Sequence, residues 1–521
     1  PKGPTPAEAA LEALHPRLAN RGPGSAPTGS ILCPGEYVPA DGILLSYHTL
    51  YDASILAIVR QMAVQITTVG QARAYIVFLS LATRNAALAA LQSEGADMSR
   101  VVPVLSPLDS IWMRDYGPRY IYQGGDAEGD GGCRAIVDHT YNRMVRATDN
   151  NFPIAFSNLR RHALYTLPLI HGGGNYHLDS LGRSHATRLI VNENPTLTAD
   201  QIVELWRQYQ NVQTTLYAPF PTSVDLTQHI DMWAQVVADD RIVVSDWAAN
   251  SGSVQDNICD AAALSTAAQG YGVTRVPARA LSGIHYTYTN VVMCNDLVLV
   301  PSYSNPSIAP LNAQGVAAFA AALPGKTIVP INCEAIVGLA GVMHCICMHV
   351  PRHKGVPDGV GSGIAPTAYL RVPNGGAQIT FAPGQNADLR WISDDDNAVA
   401  SVDLQLSFDS GATWPVTIAA GGPDDGQHTW LVPNYFSRTA RIRVLARDAE
   451  GRTGGDASDL DFALAGTCRA DFNNSLGVSI QDIFDFLAAY FAGDPRADFN
   501  DMGGVSVQDL FDFIAGYFTG C

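Results

Sequence analysis

A repeating alternation of β and α patterns between Gly42 and Pro351 constrains the fold of this 521-residue chain most strongly. Gly42–Ser46 is an apolar run typical of a buried strand, and Ala53–Val64 has the apolar spacing of a helix. A predicted strand, helix and strand follow: Ala74–Leu81, Arg84–Glu94 and Val101–Leu105. Because repeated β–α–β units bury strands against helices, this region is predicted to be an α/β domain.

Changes in composition divide the chain into five predicted parts. Residues 1–28 are rich in Pro, Ala and Gly and are predicted to be a flexible leader before the α/β domain of residues 29–353. Residues 354–366 have the composition of a linker. Residues 367–465 contain short alternating segments separated by turn residues, which predict an immunoglobulin-like β-sandwich. Residues 468–521 are predicted to form a separate small helical module.

That module contains two closely similar sequences, which begin at Ala470 and Ala497. So close a duplication, at an offset of 27 residues (497 − 470), predicts tandem structural units. Each unit resembles half of a dockerin pair, in which a loop of about 12 residues supplies oxygen ligands to Ca²⁺ before a helix. The resemblance implies these candidate calcium ligands: Asp471, Asn473, Ser475, Ser479 and Asp482 in the first loop, and Asp498, Asn500, Ser506 and Asp509 in the second.

Two substitutions keep another interpretation of the repeats open. Leu476 stands where a turn glycine is expected, and Met502 cannot ligate calcium. Ion-free loops that cap amphipathic helices are therefore the alternative. A dockerin-like pair would dock onto a cohesin-like or cell-surface partner, and its two ends would lie close together. Cys468 and Cys521 are then predicted to form a disulfide, which fits an oxidising extracellular compartment.

Charge and hydropathy exclude several classes of partner. The formal net charge is −17, which argues against nonspecific binding to nucleic acid or to an anionic membrane surface. No stretch approaches the roughly 20 apolar residues of a membrane span, so no transmembrane segment is predicted. The chain has nine cysteines, an odd number, so at least one is free if the others pair within the chain.

Three segments of the α/β region hold polar residues in apolar surroundings. They are Trp112–Pro118 (WMRDYGP), His229–Trp233 (HIDMW) and Met343–His349 (MHCICMH). Each segment alone has an ordinary structural explanation. An aspartate can pair with the adjacent arginine or cap a turn, a His-x-Asp pair can lie on an exposed edge, and a free cysteine is most often a buried core residue. The ordered set of all three indicates a functional site.

Together with Asp41-Gly42, Gly172–Asn175 and Tyr288–Asn290, this set resembles a known enzyme family. The chain is similar, over residues 35–352, to bacterial (Porphyromonas-type) peptidylarginine deiminases and agmatine deiminases of the guanidine-modifying superfamily. The resemblance implies a five-bladed α/β propeller with a catalytic cleft on its central axis. It also implies hydrolysis of a guanidinium group to a urea and ammonia, without a metal or an organic cofactor.

The resemblance assigns a role to each residue of the predicted catalytic set. Cys345 is the nucleophile and forms a covalent thiouronium intermediate. His229 protonates the departing ammonia and then deprotonates the incoming water. Asp115 and Asp231 bind the planar guanidinium through charge-assisted, bidentate hydrogen bonds. Asn290 matches a family asparagine that orients the substrate or the cysteine.

Two segments favour an arginine-containing peptide or protein as the substrate over free agmatine. Tyr141–Arg143 and Thr287–Asn290 are more similar to the peptide-specific enzymes. The resemblance then implies that Arg143 and Arg146 bind the C-terminal carboxylate of the peptide, with Trp112 also in the substrate site. Arg146 is one residue beyond the family position, and a solvated surface loop is the alternative for both arginines. The predicted protein is a secreted peptidylarginine deiminase, and agmatine deiminase is its alternative.

Two alternatives from other functional classes use the same residues. His344, Cys345, Cys347 and His349 could bind a metal ion, since thiolate and imidazole ligands suit zinc or copper. In an extended strand Cys345, Cys347 and His349 would face one way, so Cys347 would also lie beside the nucleophile or a residue that supports it. The second alternative is a noncatalytic, surface-anchored binding protein.

Overall fold

The computed structural model describes residues 24–355, 363–376 and 378–520. The chain divides into two compact units. The first comprises the described parts of Pro1–Gln123 and Arg134–His353, and the second comprises those of Gly124–Cys133 and Lys354–Cys521. Most of the predicted leader and the central part of the predicted linker lie outside the described residues.

The elements of the first unit are numbered here in chain order. Its strands are β1 (Ile31–Leu32), β2 (Ala40–Tyr47), β3 (Arg73–Phe78), β4 (Val101–Leu105), β5 (Arg119–Gln123), β6 (Cys133–Tyr141), β7 (Ala163–His171), β8 (His177–Leu178), β9 (Arg183–Thr187), β10 (Gln213–Tyr217), β11 (Ala234–Ala238), β12 (Arg241–Asp246), β13 (Gly272–Pro277), β14 (Arg279–Leu281), β15 (Ile284–Tyr286), β16 (Val292–Cys294), β17 (Leu297–Ser302), β18 (Thr327–Asn332) and β19 (Cys347–Pro351). Its helices are α1 (Ala53–Thr68), α2 (Leu81–Ser93), α3 (Met113–Tyr116), α4 (Ala147–Arg160), α5 (Leu189–Glu193), α6 (Ala199–Gln210), α7 (Val254–Ala268), α8 (Asn312–Ala322) and α9 (Glu334–Val337).

Within the described residues, the strands of the first unit form five sheets of three or four strands and one hairpin of β14 and β15. The five sheets have the orders β19-β2-β3-β4, β1-β5-β6-β7, β10-β9-β8, β11-β12-β13 and β16-β17-β18. Each combines an antiparallel pair with a parallel pair, and helices connect the parallel strands. The predicted mixed α/β fold is confirmed.

The predicted strand Ala74–Leu81 ends earlier than its apolar pattern suggested. The strand stops at Phe78, and Ser80 caps the next helix by accepting a hydrogen bond from the backbone N–H of Thr83. A serine at this position satisfies an N–H that would otherwise lack a partner, so Leu81 begins helix α2. The helix itself therefore starts three residues before the predicted Arg84.

The second unit contains strands and two helices. They are β20 (Thr367–Val372), β21 (Thr380–Phe381), β22 (Asn386–Asp394), β23 (Val399–Ser407), β24 (Val416–Gly422), β25 (Gln427–Leu431), β26 (Phe436–Asp448), β27 (Thr453–Ala457), β28 (Phe462–Ala465), α10 (Ile480–Ala492) and α11 (Val507–Thr519). One sheet has the order β20-β22-β25 and the other β21-β28-β26-β23-β24, with β27 beside β26. Buried residues of both sheets form one hydrophobic cluster, as expected when two sheets pack face to face.

The two repeats fold alike. Ser479 and Asp482 form a capping box at the start of α10, and Ser506 and Asp509 form the equivalent box at the start of α11. The rings of Phe486 and Phe513, at equivalent positions of the two helices, stack with their centroids 4.0 Å apart. Cys468 is disulfide-bonded, and its predicted partner Cys521 lies outside the described residues. In the described part of the chain, no helix is long and apolar enough to cross a bilayer.

Candidate active site

The three predicted motif segments come together in the first unit. Helix α3, which carries Asp115, packs against the 3-10 turns Gly173–Asn175 and His344–Ile346. The turn Gly173–Asn175 in turn packs against a third such turn, Ile230–Met232. Five predicted catalytic residues are each at most 1% exposed: Asp115, His229, Asp231, Asn290 and Cys345. His229 and Asp231 are therefore not an exposed edge pair.

Asn290 holds the predicted nucleophile from two sides. Its Nδ2 lies 3.1 Å from Sγ of Cys345, and its Oδ1 accepts a hydrogen bond from the backbone N–H of Cys345 at 3.3 Å. The same Nδ2 donates to Oδ2 of Asp231 at 3.2 Å. A single amide thus fixes the cysteine relative to the carboxylate, and Cys345 has polar contacts that an ordinary core thiol lacks.

The carboxylate of Asp231 is the centre of this cluster. Its Oδ2 lies 3.3 Å from Sγ of Cys345 and 3.0 Å from Nδ1 of His344. Two adjacent anions repel each other in a buried site, so Asp231 favours the protonated thiol while no cation is bound. A bound cation would reverse this preference, since neighbouring positive charge lowers the pKa of a thiol.

His229 and Asp115 form a second pair, with Nδ1 of His229 3.4 Å from Oδ1 of Asp115. The backbone N–H of Gly174 also donates to Oδ1 of Asp115 at 3.2 Å.

The glycines next to Gly174 permit the close packing of His229 and Asp115. A Cβ on Gly172 would lie 2.8 Å from Cε1 of His229, and a Cβ on Gly173 would lie 2.3 Å from the carbonyl oxygen of Arg114. The glycine-rich segment is thus required because any side chain would displace the histidine or the aspartate.

One structural explanation of the first motif was an ion pair between Arg114 and Asp115. The structure does not form that pair. Arg114 forms a buried ion pair with Glu36 and donates from Nε to the carbonyl oxygen of His344 at 3.2 Å. Its Nη2 also lies 3.1 Å from Nδ1 of His349. Burial alone would raise the pKa of Glu36, but the charges of Arg114, His344 and His349 hold that pKa well below its usual range. Sequence reasoning missed Glu36, which lies in a loop outside the three motifs.

Cys347 contacts the residues that support the nucleophile, for a different reason from the one the sequence suggested. Cys345 lies in the 3-10 turn His344–Ile346, and strand β19 begins only at Cys347. The shared-face rule for residues i and i+2 of a strand therefore does not apply. Sγ of Cys347 faces the carbonyl oxygen of His344 at 3.5 Å and Nη2 of Arg114 at 3.8 Å. In the described part of the chain, the group of three or more potential ligand side chains with their ligand atoms within 4.8 Å of one another contains neither cysteine nor His349. The proposed metal set of His344, Cys345, Cys347 and His349 is therefore not supported.

The predicted substrate-binding residues lie around this cluster. A Cβ on Gly341 would be 2.7 Å from Cζ3 of Trp112 and 3.2 Å from Sγ of Cys345, so the indole and the thiol flank the same glycine. The indole Nε1 of Trp112 is buried without a hydrogen-bond partner. This N–H lies in the part of the site that holds the predicted nucleophile.

Arg143 and Arg146 lie near Tyr141. Nη1 of Arg146 donates to the phenol oxygen of Tyr141 at 3.3 Å, and Arg146 is only 5% exposed. Burial raises the pKa of Tyr141, the charge of Asp115 raises it further, and the charges of Arg146 and Arg143 lower it. The charges of both arginines and of Asp115 therefore shift the pKa of the same phenol. The burial of Arg146 excludes the solvated-loop alternative for that residue. Arg143 is half-buried.

The sequence model described as Porphyromonas-type peptidyl-arginine deiminase matches residues 32–351, which is more than half of the chain. The chain belongs to this family. It is a hydrolase of the peptidyl-arginine and agmatine deiminase type, which acts on the C–N bonds of guanidino groups. The resemblance inferred from the three motif segments is confirmed for the deiminase family.

Individual relatives are more distant. A protein of Shewanella sp. (strain MR-4) named as an agmatine deiminase is 27% identical over 307 residues, which cover 50% of this chain and 80% of that protein. A structure described as an arginine deiminase from Porphyromonas gingivalis is 20% identical, covers 62% of this chain and 99% of its own, and has a TM-score of 0.52. The agmatine deiminase of C. jejuni with substrate bound is 16% identical, covers 62% and 97%, and has a TM-score of 0.53. At these identities the two structures show a shared fold.

Replacing the nucleophile tests the assignment directly. The variant Cys345→Ser is expected to lose several orders of magnitude in kcat while it stays folded, because an alcohol is a far poorer nucleophile than a thiolate. The matched control Cys347→Ser removes the neighbouring buried thiol and is expected to keep activity of the same order as the parent protein. Ammonia release measures both variants. Full activity in Cys345→Ser would refute the assignment.

The two carboxylates provide a second test. We expect Asp115→Asn and Asp231→Asn each to reduce kcat/KM strongly, since the guanidinium would face a neutral amide. Removing one charge from a desolvated pair costs about 3–5 kcal/mol, which corresponds to a loss of at least about a hundredfold. If a variant has the melting temperature of the parent protein and near-normal kinetics, the substituted residue has no catalytic role.

Proposed function

We propose that the protein hydrolyses peptidyl-arginine, at the C-terminal residue of a peptide, to citrulline and ammonia. The observation that carries this choice is the placement of Arg143 and Arg146 near Tyr141, within the electrostatic reach of Asp115. A C-terminal arginine has a guanidinium at one end and a carboxylate at the other. The site has both carboxylates and guanidinium groups, so it contains charges that complement both ends of this substrate.

The guanidinium end is proposed to bind at Asp115 and Asp231. Asp231 touches the thiol of Cys345, and Asp115 touches the imidazole of His229. A guanidinium held by both carboxylates would therefore lie near two groups. Asp231 would bring it close to the nucleophile Cys345, and Asp115 would bring it close to the acid–base group His229. The unpartnered indole N–H of Trp112, beside the thiol, supplies a further donor for the bound substrate or intermediate.

The chemical steps follow from these positions. The bound cation offsets the charge of Asp231 and lowers the pKa of the Cys345 thiol, so the thiolate forms in the complex and attacks the central carbon. His229 protonates the departing ammonia and then removes a proton from the water that hydrolyses the thiouronium intermediate. We propose no metal and no organic cofactor for these steps.

The position of Arg146 supports a role in recognition. It immediately precedes helix α4, where its positive charge opposes the positive end of the helix dipole. A buried cation at this place does not stabilise the helix. A substrate carboxylate is a favourable partner for an arginine at this position, and Arg143 in the adjacent turn would provide a second contact.

Agmatine is the second candidate because of Glu193. This buried side chain bonds to Nδ2 of Asn142 and lies within the electrostatic reach of Arg143 and His229. Agmatine has an ammonium group in place of the carboxylate, and an acidic side chain near Arg143 would favour it. The Shewanella relative is named for this substrate.

The two substrates are distinguished by the carboxylate. A peptide ending in arginine is expected to exceed its C-terminal amide by about tenfold to a hundredfold in kcat/KM, since a charge-assisted contact contributes roughly 1.5–3 kcal/mol. We expect Arg143→Ala to erase this difference without slowing the amidated peptide. Arg207→Ala, an exposed arginine of the same unit, is the control. Faster turnover of agmatine than of any peptide, with no effect of Arg143→Ala, would establish the second candidate.

We further propose that the protein acts outside the cell, with the first unit arranged as a five-bladed propeller followed by an immunoglobulin-like sandwich and a dockerin-like module. The five similar sheets support the propeller. The disulfide at Cys468 supports an oxidising compartment. Exposed apolar residues recur at equivalent positions of the two repeats, as a face for a cohesin-like or cell-surface partner would require: Ile480, Phe484 and Phe491 on α10, and Val507, Phe511 and Phe518 on α11.

Calcium is proposed to bind both repeat loops. Oδ1 of Asp471 accepts a hydrogen bond from the backbone of Ser475, and Asp498 accepts from the backbone of Met502, so each loop already curves around its first acidic residue. Asn473 and Asn500 occupy equivalent places, bonded to Asp485 and Asp512. These contacts gather acidic and amide side chains in each loop, which supports the proposal of a calcium loop.

Isothermal titration with Ca²⁺ checks this proposal. Calcium at about 100 times its dissociation constant is expected to stabilise the folded module by about 2.7 kcal/mol, because the ion binds only the folded loops. Asp471→Asn and Asp498→Asn should each weaken one binding event, whereas Mg²⁺ should not replace calcium. The proposal would be wrong if no calcium binds and if Asp482→Asn destabilises the protein equally with and without calcium. The loops would then serve only to cap the helices.

A further inference from the structure

A cluster of possible metal ligands lies next to Asp231 and is not used by the proposed chemistry. One ligand atom each from Glu36, His177 and His344 lies within 4.8 Å of the other two. Nε2 of His344 is 2.8 Å from Oε2 of Glu36, and the ring centroids of His177 and His344 are 5.0 Å apart. Both histidines are at most 2% exposed, and the side chain of Glu36 is 9% exposed.

His177 is the member of this cluster that most needs a partner. Its Nε2 is buried and has no hydrogen-bond partner. Buried polar atoms nearly always have a partner, since an unsatisfied donor or acceptor loses its hydration without compensation. A ring nitrogen in this condition, beside a second imidazole and a carboxylate, is suited to hold an ion.

His344 is oriented as metal-bound histidines usually are. Its Nδ1 lies 3.0 Å from Oδ2 of Asp231, so its Nε2 points toward Glu36. Metal-bound histidines commonly donate their second ring N–H to a carboxylate, which fixes the tautomer and the ring plane. Asp231 is in the right position to accept that hydrogen bond.

We propose that Glu36, His177 and His344 form a site for a zinc ion that inhibits the enzyme. Two imidazoles and one carboxylate are a common ligand set for zinc, with the remaining position open to water. This site differs from a thiolate site because neither Cys345 nor Cys347 belongs to it.

The charges around the site permit a dication. Arg114 pairs with Oε1 of Glu36, which leaves Oε2 toward the imidazoles. The carboxylate of Asp231 lies one imidazole away and offsets part of the added charge.

Inhibition follows from the contact between His344 and Asp231. Zinc on one nitrogen of His344 places positive charge close to the carboxylate that is proposed to receive the guanidinium. A cationic substrate should then bind more weakly, and its KM should rise. This effect rests on the proposed role of Asp231, whereas zinc binding itself does not depend on any substrate.

The experiment uses the full chain after chelator treatment, with calcium present to saturate the repeat loops. Competition against a chromophoric zinc chelator measures affinity and stoichiometry. We expect one zinc per chain, an affinity at least about tenfold weaker in His177→Asn, and unchanged affinity in Cys345→Ser. The matched control is His285→Asn, which changes another buried histidine whose ring nitrogens have no hydrogen-bond partner. It should bind zinc like the parent protein.

Two further measurements keep the proposal testable if His177→Asn folds poorly. X-ray absorption of the zinc-loaded parent protein should show nitrogen and oxygen neighbours only. Zinc should raise KM at least tenfold in the parent protein and in His285→Asn. Sulfur in the zinc coordination sphere, or loss of binding in Cys345→Ser, would overturn the proposal in favour of a thiolate site. Absence of stoichiometric zinc binding would overturn it outright. Zinc binding without inhibition would reject the inhibitory role.

Discussion

The buried ion pair between Arg114 and Glu36 is the interaction on which the active site depends. Arg114 is fully buried, and it joins the loop of Glu36 to the turn that carries Cys345 through the carbonyl oxygen of His344. Leaving one member of such a pair uncompensated costs roughly 3–5 kcal/mol. Because Asp115 follows Arg114 directly, the same contact fixes the carboxylate that faces His229. The arginine of the first motif therefore positions the catalytic groups rather than binding the substrate.

A second consequence of burial concerns the state of the nucleophile. Asp231 contacts Cys345, His344 and Asn290 through one oxygen atom, in surroundings that exclude water. A buried carboxylate at 3.3 Å disfavours a second anion, and this disfavours the thiolate in the unliganded enzyme. Under the proposed mechanism, a cationic substrate would change this balance when it binds. Formation of the nucleophile would then depend on the presence of the group that it attacks.

The sequence allowed the catalytic set to be predicted because its members occur in short motifs. Asp115, His229 and Cys345 each lie in a run of unusual residue types. Glu36 and His177 could not be recognised in this way, since their roles come from contacts across the fold: Glu36 meets His344 from 308 positions away. The local geometry at Cys345 was also wrongly predicted. Periodicity cannot reveal a 3-10 turn that ends one residue after the nucleophile.

The same limit applies to the regular elements. The buried strand predicted at Ala74–Leu81 is observed at Arg73–Phe78, an error of a few residues at its ends. Strand β24 (Val416–Gly422) has a weak strand pattern of its own, because its last two residues are glycines. Its place is set by pairing with β23 rather than by its own sequence. Tertiary contacts override local propensity at such positions.

Specificity in this site depends on how its many charges are already paired. Arg114 is committed to Glu36, so its charge is not available to a ligand. Asp115 and Asp231 contact the imidazole and the thiol, which places their charges at the reacting centre. Under the proposed function, discrimination between substrates would arise near Arg143 and Glu193, whose opposite charges lie within electrostatic reach of each other. A guanidinium common to all candidate substrates would satisfy the first set of charges equally, so the charge at the other end of the substrate would decide between them.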